Sequence, residues 1–211
     1  MEKLSTGIEI LDTRLDGGFP EGSVVSLIAD PMSTAELFLY DLASTRHTHY
    51  FTTARSADTV EVNLEQMNRE TSDLTIVDVY SEDDDEKAEK VIDHLDEVGE
   101  GDNIILDTFT DFTNNFGGYN EILDELYRTS HEKGCLTYLY MIKDDDATLS
   151  YDESRVPYFT DVVLKMLFNI SGEQVENRLA ISKLRGQEPP TRTIKLNIGT
   201  SIEIDTSRDI A

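Results

Sequence analysis

The chain has 211 residues, 38% of them hydrophobic, which is enough apolar material for the core of one α/β domain over 1–211. Lys and Arg number 18 against 43 Asp and Glu, a formal net charge of −25, so direct binding to nucleic acid or to an anionic membrane surface is disfavoured by repulsion. The lone cysteine, Cys135, excludes an internal disulfide, and with no signal peptide or apolar run of membrane-spanning length the expected location is the cytoplasm.

The acid excess runs through the whole chain, with local peaks at Ser81 to Glu86 (SEDDDE) and Lys143 to Asp146 (KDDD). Both runs read as solvated helix starts or loop tips, because consecutive acids lack the alternating ligand spacing of a calcium loop. Charge of this size is tolerable where salt screens it, and the Debye length falls to about 3 Å near molar salt. With few lysines and no Trp, the composition is that of a cytoplasmic protein from a salt-accumulating microbe of haloarchaeal type.

In chain order, apolar runs at Val24 to Ala29, Tyr50 to Thr53, Leu74 to Tyr80, Asn103 to Asp107 and Leu136 to Ile142 read as strands. Segments of helical spacing lie between them: Ala35 to Ala43, Asp58 to Asn68, Glu86 to Val98 and Tyr119 to His131. Strands alternating with helices of that length predict βαβ units and a mainly parallel, helix-flanked sheet. After Pro157 the stretches DVVLKMLFNI, VENRLAISKL, TIKLNI and SIEI alternate with short polar breaks. They predict antiparallel strands that extend the sheet.

Two motifs then point to a family. The stretch STGIEILDTRLDGGFPEGSVV (Ser5 to Val25) has Ser5, Thr6 and Gly7 at a helix opening, Leu11 and Asp12 within the helix, and Gly17 and Gly18 turning the chain before Pro20 and Gly22. A hydroxyl residue at a helix start and glycines at its end are physically coherent. Near the other end stands ISKLRG (Ile181 to Gly186). Together these resemble the KaiC-like branch of the RecA superfamily over nearly the whole chain. The resemblance implies a RecA-like P-loop NTPase fold.

In active members of that branch a glycine-rich turn cradles phosphates, a lysine reaches the terminal phosphates, and a Ser or Thr hydroxyl binds magnesium. The corresponding stretch here is Ala29, Asp30, Pro31, Met32, Ser33, Thr34, Ala35 and Glu36. It places Ala29 and Thr34 at the glycine positions, Ala35 at the lysine and Glu36 at the hydroxyl. Thr34 brings a β-branched side chain, Pro31 lacks a donor, Ala35 supplies no cation, and Glu36 adds negative charge. A carboxylate about 4 Å from a phosphate charge costs on the order of 4 kcal/mol at an effective dielectric of roughly 20. The acid pair that follows the second strand in active relatives is replaced by Ala54 and Arg55.

Asp107, closing NIILD, matches the family's magnesium-associated acid, or else simply ends its strand and opens the loop DTFTDF. Lys183 and Arg185 alternate on a strand and so share a face. By resemblance they reach across a subunit boundary toward a neighbour's nucleotide; otherwise they form surface ion pairs in a very acidic protein. His47 and His49 flank Thr48, while His94 and His131 fall in predicted helices. None has a zinc-spaced ligand set beside it in sequence, so no metal is expected. Cys135 reads as a buried strand residue, Ser5, Ser26 and Ser33 lack nucleophile-elbow context, and the sequon at Asn169 would go unused in the cytosol.

The expectation is therefore a degenerate KaiC-like protein with no catalytic residues and no cofactor. It would act as a non-hydrolysing regulatory or scaffolding subunit on a protein partner, either itself or a KaiC-like or recombinase-like relative. Two alternatives stand beside it: an ATPase that binds ATP and magnesium weakly through a non-standard loop, with Arg55, Lys183 or Arg185 as phosphate cation, and an accessory recombinase paralogue in DNA repair. The charge alone generates one prediction. Melting temperature should rise from low to molar KCl, and a flat or falling series would remove the halophilic reading.

Overall fold

The computed structural model describes residues 2–69, 71–115, 119–143, 151–171, 174–198 and 202–204. A short hairpin pairs β1 (Lys3–Leu4) with β2 (Phe19–Pro20), and α1 (Glu9–Arg14) lies between them. The helix begins later than the Ser5 to Gly7 opening suggests, because those residues are used to hold Asp12. Ser5 Oγ donates to Asp12 Oδ2 at 2.5 Å, and Thr6 gives its N–H and hydroxyl to Oδ1 at 2.7 and 2.8 Å. Gly18 has φ +113°, and a Cβ there would stand 2.0 Å from the Leu4 carbonyl oxygen. The hairpin's close approach requires glycine at that position.

The main sheet is built from β3 (Val24–Ala29), α2 (Ala35–Ala43), β4 (Thr48–Thr52), α3 (Ala57–Gln66), β5 (Leu74–Asp78), α4 (Asp84–His94), β6 (Asn103–Asp107), α5 (Thr110–Asn115), α6 (Tyr119–Lys133), β7 (Leu136–Ile142), α7 (Tyr151–Phe159), β8 (Val162–Ser171), β9 (Gln174–Leu184), β10 (Ile194–Ile198) and β11 (Ile202–Ile204). Its strand order is β11-β10-β9-β8-β3-β7-β6-β4-β5. The six strands from β8 to β5 are parallel, and β9, β10 and β11 add on as antiparallel neighbours. This is the predicted class, a mostly parallel sheet flanked by helices with C-terminal antiparallel strands.

The run VVSLIA is buried along its whole length because β3 lies between β7 and β8 and is covered on both faces. Val25, Leu27 and Ala29 join a core with Leu11, Phe38, Leu39, Leu42, Val60 and Leu64, so α1, α2 and α3 cover that face. Val24 and Ile28 join the opposite core with Val91, Phe112, Ile122, Leu126 and Val156 from α4 to α7. The result is three layers around one sheet.

Several boundaries differ from the sequence reading for identifiable reasons. Strand β4 begins at Thr48, earlier than Tyr50, because His47 and Thr48 already take part in ladder hydrogen bonds to the segments entering β6 and β5. The segment before Val162 is helix α7 with Pro157 inside it, although proline marked a break in the sequence. The carbonyls left free near its C-terminal end are met from outside: Lys183 Nζ donates to the Pro157 and Tyr158 oxygens at 3.0 and 2.6 Å, and Arg185 donates to Phe159 O at 2.5 Å. Asp161 then fastens the layers, accepting from Val24 N–H at 3.0 Å and the Tyr127 hydroxyl at 2.6 Å while pairing with Arg185 Nε at 2.7 Å. Asp144 to Asp146 of the second acid run lie outside the described residues. Among the described residues no helix is long and apolar enough to cross a membrane.

Candidate functional site

In open α/β sheets ligands bind beyond the carboxyl ends of the parallel strands. Here that end gathers the β3–α2 loop, the residues after β4, and the end of β6. The loop is folded on itself. Asp30 Oδ1 accepts the Met32 N–H at 2.7 Å, Asp30 O accepts the Ser33 N–H at 2.9 Å, and Pro31 has no N–H to offer. Two of the donors that a phosphate cradle would aim outward are thus committed inward. Thr34 stands at the N-cap of α2 without a side-chain capping bond, and Ser33 Oγ is buried without a protein partner. Met32 projects into solvent, 70% exposed.

Glu36, on the first turn of α2, meets Arg55 at 2.6 Å between Oε2 and a guanidinium nitrogen. The other terminal nitrogen of Arg55 lies 3.6 Å from Asp107 Oδ2. The backbone of Arg55 is held by Thr52, whose hydroxyl donates to the Arg55 carbonyl at 2.6 Å. Asp107 is wholly buried, and it accepts the Tyr50 hydroxyl at 2.6 Å. Its second oxygen, Oδ1, has no hydrogen-bond partner. Three residues from α2, the turn after β4 and the end of β6 therefore form an internal acid–base–acid array, Glu36–Arg55–Asp107.

Burial raises the Asp107 pKa, and the opposing pull of the Tyr50 hydrogen bond and the Arg55 charge does not cancel it. Burial also works against the Arg55 charge, but Asp107 and Glu36 outweigh it and hold the guanidinium above its ordinary value. Tyr50 is pushed well up by burial and then by the Asp107 charge. The residual cleft, 190 Å³, is lined by Ser33, Glu36, Ala54, Arg55, Thr108 and Tyr140, among others. Small-molecule sites usually exceed about 300 Å³.

As a receptor for magnesium triphosphate these residues fit poorly. The free Asp107 oxygen is a reasonable metal donor, yet no hydroxyl stands opposite it at Glu36, no ammonium is supplied at Ala35, and the one cation present already faces two carboxylates. Lys183 and Arg185 do not join the cleft. Lys183 pairs with Val163, level with Ser26, and Leu184 pairs with Val162, level with Val25, so both cations lie toward the start of β3 while the loop follows Ala29. Cys135 is buried, and burial pushes its thiol up to about 11, away from nucleophilic use.

Sequence reasoning placed Arg55 where active relatives carry an acid, or as the phosphate cation of a non-standard site, and found no ligand set around the histidines. Contacts across the sheet change both: Arg55 is the centre of the array, and His47, His49 and His94 converge with Asp102 at the opposite end of β4. The only linear signal was the alternation of His47 and His49.

A family of unknown function (DUF7125) matches residues 3–211. The chain belongs to that family. No curated protein matches it. Among solved structures, this DUF7125 chain is similar to the KaiC-like protein PH0186 from the hyperthermophilic archaeon Pyrococcus horikoshii OT3, with a TM-score of 0.78 at 15% identity over 96% of this chain and 98% of that one. At that identity the likeness establishes a KaiC-like, RecA-type fold.

The raised Asp107 carboxyl gives a prediction with a defined sign. Its folded value lies above the unfolded value of about 3.9, so ionising it weakens the fold as pH rises from about 4 through the folded value. Asp107→Asn keeps an oxygen for Tyr50 and removes that cost. The variant's melting temperature should therefore gain on wild type as pH rises above about 4, and a difference that stays constant across the series would contradict the assignment.

Proposed function

We infer that this protein is a catalytically degenerate KaiC-like subunit that does not hydrolyse ATP and acts by contact with another protein of the same fold. The observation that carries the reading is the Glu36–Arg55–Asp107 array, which fills the phosphate end of the sheet with one cation already shared between two carboxylates. A triphosphate entering there would have to separate Arg55 from Glu36 and then face that carboxylate unpaired. Such a rearrangement opposes binding by more than the missing lysine alone.

The surface that suits a partner lies around the end of α7. Tyr158 is 75% exposed and Phe159 41%, and both are flanked by cations. Lys183 Nζ stands 6.0 Å from the Tyr158 ring centre, and the Arg155 guanidinium carbon 5.5 Å from that of Phe159. Exposed aromatics beside Arg and Lys are the composition of interface anchors. Lys183 and Arg185 would present their residual charge to the neighbour from this point, while also holding the α7 end of their own chain.

A second reading is favoured by one observation, the guanidinium of Arg55 in the cleft with the free Asp107 oxygen nearby. In that reading Arg55 is the phosphate cation of a non-standard ATP site. Calorimetric titration with ATP and magnesium in molar KCl, with turnover measured on the same sample, separates the two. We expect no binding tighter than about 1 mM and no turnover. Low-micromolar affinity lost in Arg55→Ala would promote the second reading.

The partner surface has its own test. Tyr158→Asp should leave the melting temperature nearly unchanged, since an exposed substitution usually shifts stability by less than about 0.5 kcal/mol, but should reduce association seen by light scattering or by high-salt pull-down of KaiC-like partners. The double charge reversal of Lys183 and Arg185 should reduce it too, with some loss of stability from the freed α7 carbonyls. Unchanged association in both variants would remove this surface from the proposal. Recovery of a recombinase together with salt-sensitive DNA binding would instead favour the recombinase-accessory role.

A further inference from the structure

At the end of β4 away from the cleft, two histidines of one strand and one aspartate of another loop meet. His47 Nδ1 lies 3.0 Å from Asp102 Oδ2, and His49 Nε2 lies 3.2 Å from the same oxygen. One donor atom from each of the three residues falls within 4.8 Å of the others. Two ligands of a tetrahedral zinc ion, each at about 2.0–2.1 Å from the metal, stand roughly 3.3 Å apart, so the observed separations need little adjustment. We propose that His47, His49 and Asp102 form a binding site for a divalent transition metal, with zinc(II) the best match to the ligand set.

The ligand types select the class. Two imidazoles and a carboxylate suit zinc and its first-row neighbours, whereas calcium and magnesium prefer all-oxygen sets. The backbone provides the convergence. His47 and His49 stand two residues apart on an extended strand and so share a face, and β4 pairs directly with β6, bringing Asp102 alongside. The Gly99 N–H donates to Asp102 Oδ2 at 2.7 Å and fixes the carboxylate.

The surroundings supply the outer shell that metal-bound histidines normally require. His94 Nε2 lies 3.0 Å from His49 Nδ1, and His94 Nδ1 lies 3.6 Å from Glu97. When His49 Nε2 takes a metal, its ring proton sits on Nδ1 and donates to His94, whose own proton then faces the Glu97 carboxylate. Access is also available, because the His47 side chain is 44% exposed while that of His49 is 3% exposed, leaving solvent to supply a fourth ligand. A neighbouring hollow of 450 Å³, with Glu82, Glu86, Glu89, Asp93 and Glu97 in its wall beside His94, gives an approaching cation a negative field.

The test uses the full chain, stripped with a chelator and returned to molar KCl. Zinc titrated by calorimetry should bind with one strong equivalent, and cobalt(II) added in its place should give the intense visible bands of a tetrahedral site. Zinc should also raise the melting temperature, by an amount that grows with the logarithm of free zinc over its dissociation constant. His47→Ala, at a side chain 44% exposed, and the isosteric Asp102→Asn should each weaken zinc by tenfold or more and lose the cobalt bands. His94→Gln should keep the bands and weaken affinity by about 10–100-fold, as loss of an outer-shell partner does. His131→Ala, on a different part of the surface, should behave as wild type. Absence of a strong equivalent, or binding unaltered in the double variant of His47 and Asp102, would overturn the proposal, the latter by assigning the metal to general carboxylate binding.

Discussion

Asp107 holds a carboxylate where water does not reach, and the end of the sheet is organised around that fact. A buried acid needs either protonation or a set of compensating donors. Tyr50 supplies a hydroxyl from the neighbouring strand, and Arg55 supplies charge from the turn that Thr52 pins. Because Arg55 is only partly sheltered, its other edge takes Glu36, and the first turn of α2 is tied to β6 through one side chain. The negative charge of Glu36 is thereby paired within the protein.

The compensation is incomplete, and the incompleteness is informative. Asp107 Oδ1 remains without a partner and its carboxyl stays shifted toward the protonated form. Buried unsatisfied groups are rare enough that each asks for a reason. Here the reason lies in the layout of the site, because the donors nearest Asp107, Tyr50 and Arg55, both approach Oδ2.

The opposite end of the same strands is built on different chemistry. Along β4, Tyr50 faces the array while His49 and Phe51 face α4, because successive side chains of a strand alternate. One five-residue strand therefore serves both the acid–base–acid array and the histidine cluster, on opposite faces and toward opposite ends. The ladder to β6 does the same, carrying Asp107 at one end and leaving Asp102 just before the other. Rigidity between the two ends comes from packing on both faces of the sheet, where β3, β6 and β7 are almost wholly buried.

Much of the fold could be read from the chain itself. The all-apolar run Val24–Ala29 demanded a strand covered on both faces, Ala35–Ala43 had the length and spacing of a helix, and the alternation after Val162 demanded antiparallel strands. These are local signals, set by periodicity and propensity over a few residues, and they fixed fold class and most element positions. Helix α7 escaped because Pro157 normally argues against helix, and the donors that relieve its end, Lys183 and Arg185, come from more than twenty residues away. The residue types at Ala29, Thr34, Ala35 and Glu36, with no glycine or lysine among them, were legible along the chain. The contacts they make were not, since Glu36, Arg55 and Asp107 are joined only when α2, β4 and β6 pack together. For the same reason Asp102, more than fifty residues from His47 and His49, added nothing to the one linear signal, their alternation. Sequence determined which elements form and which residue types stand at each position, because those depend on neighbours along the chain; tertiary structure alone decided which charges meet, because that depends on strand order and on the face to which each side chain turns.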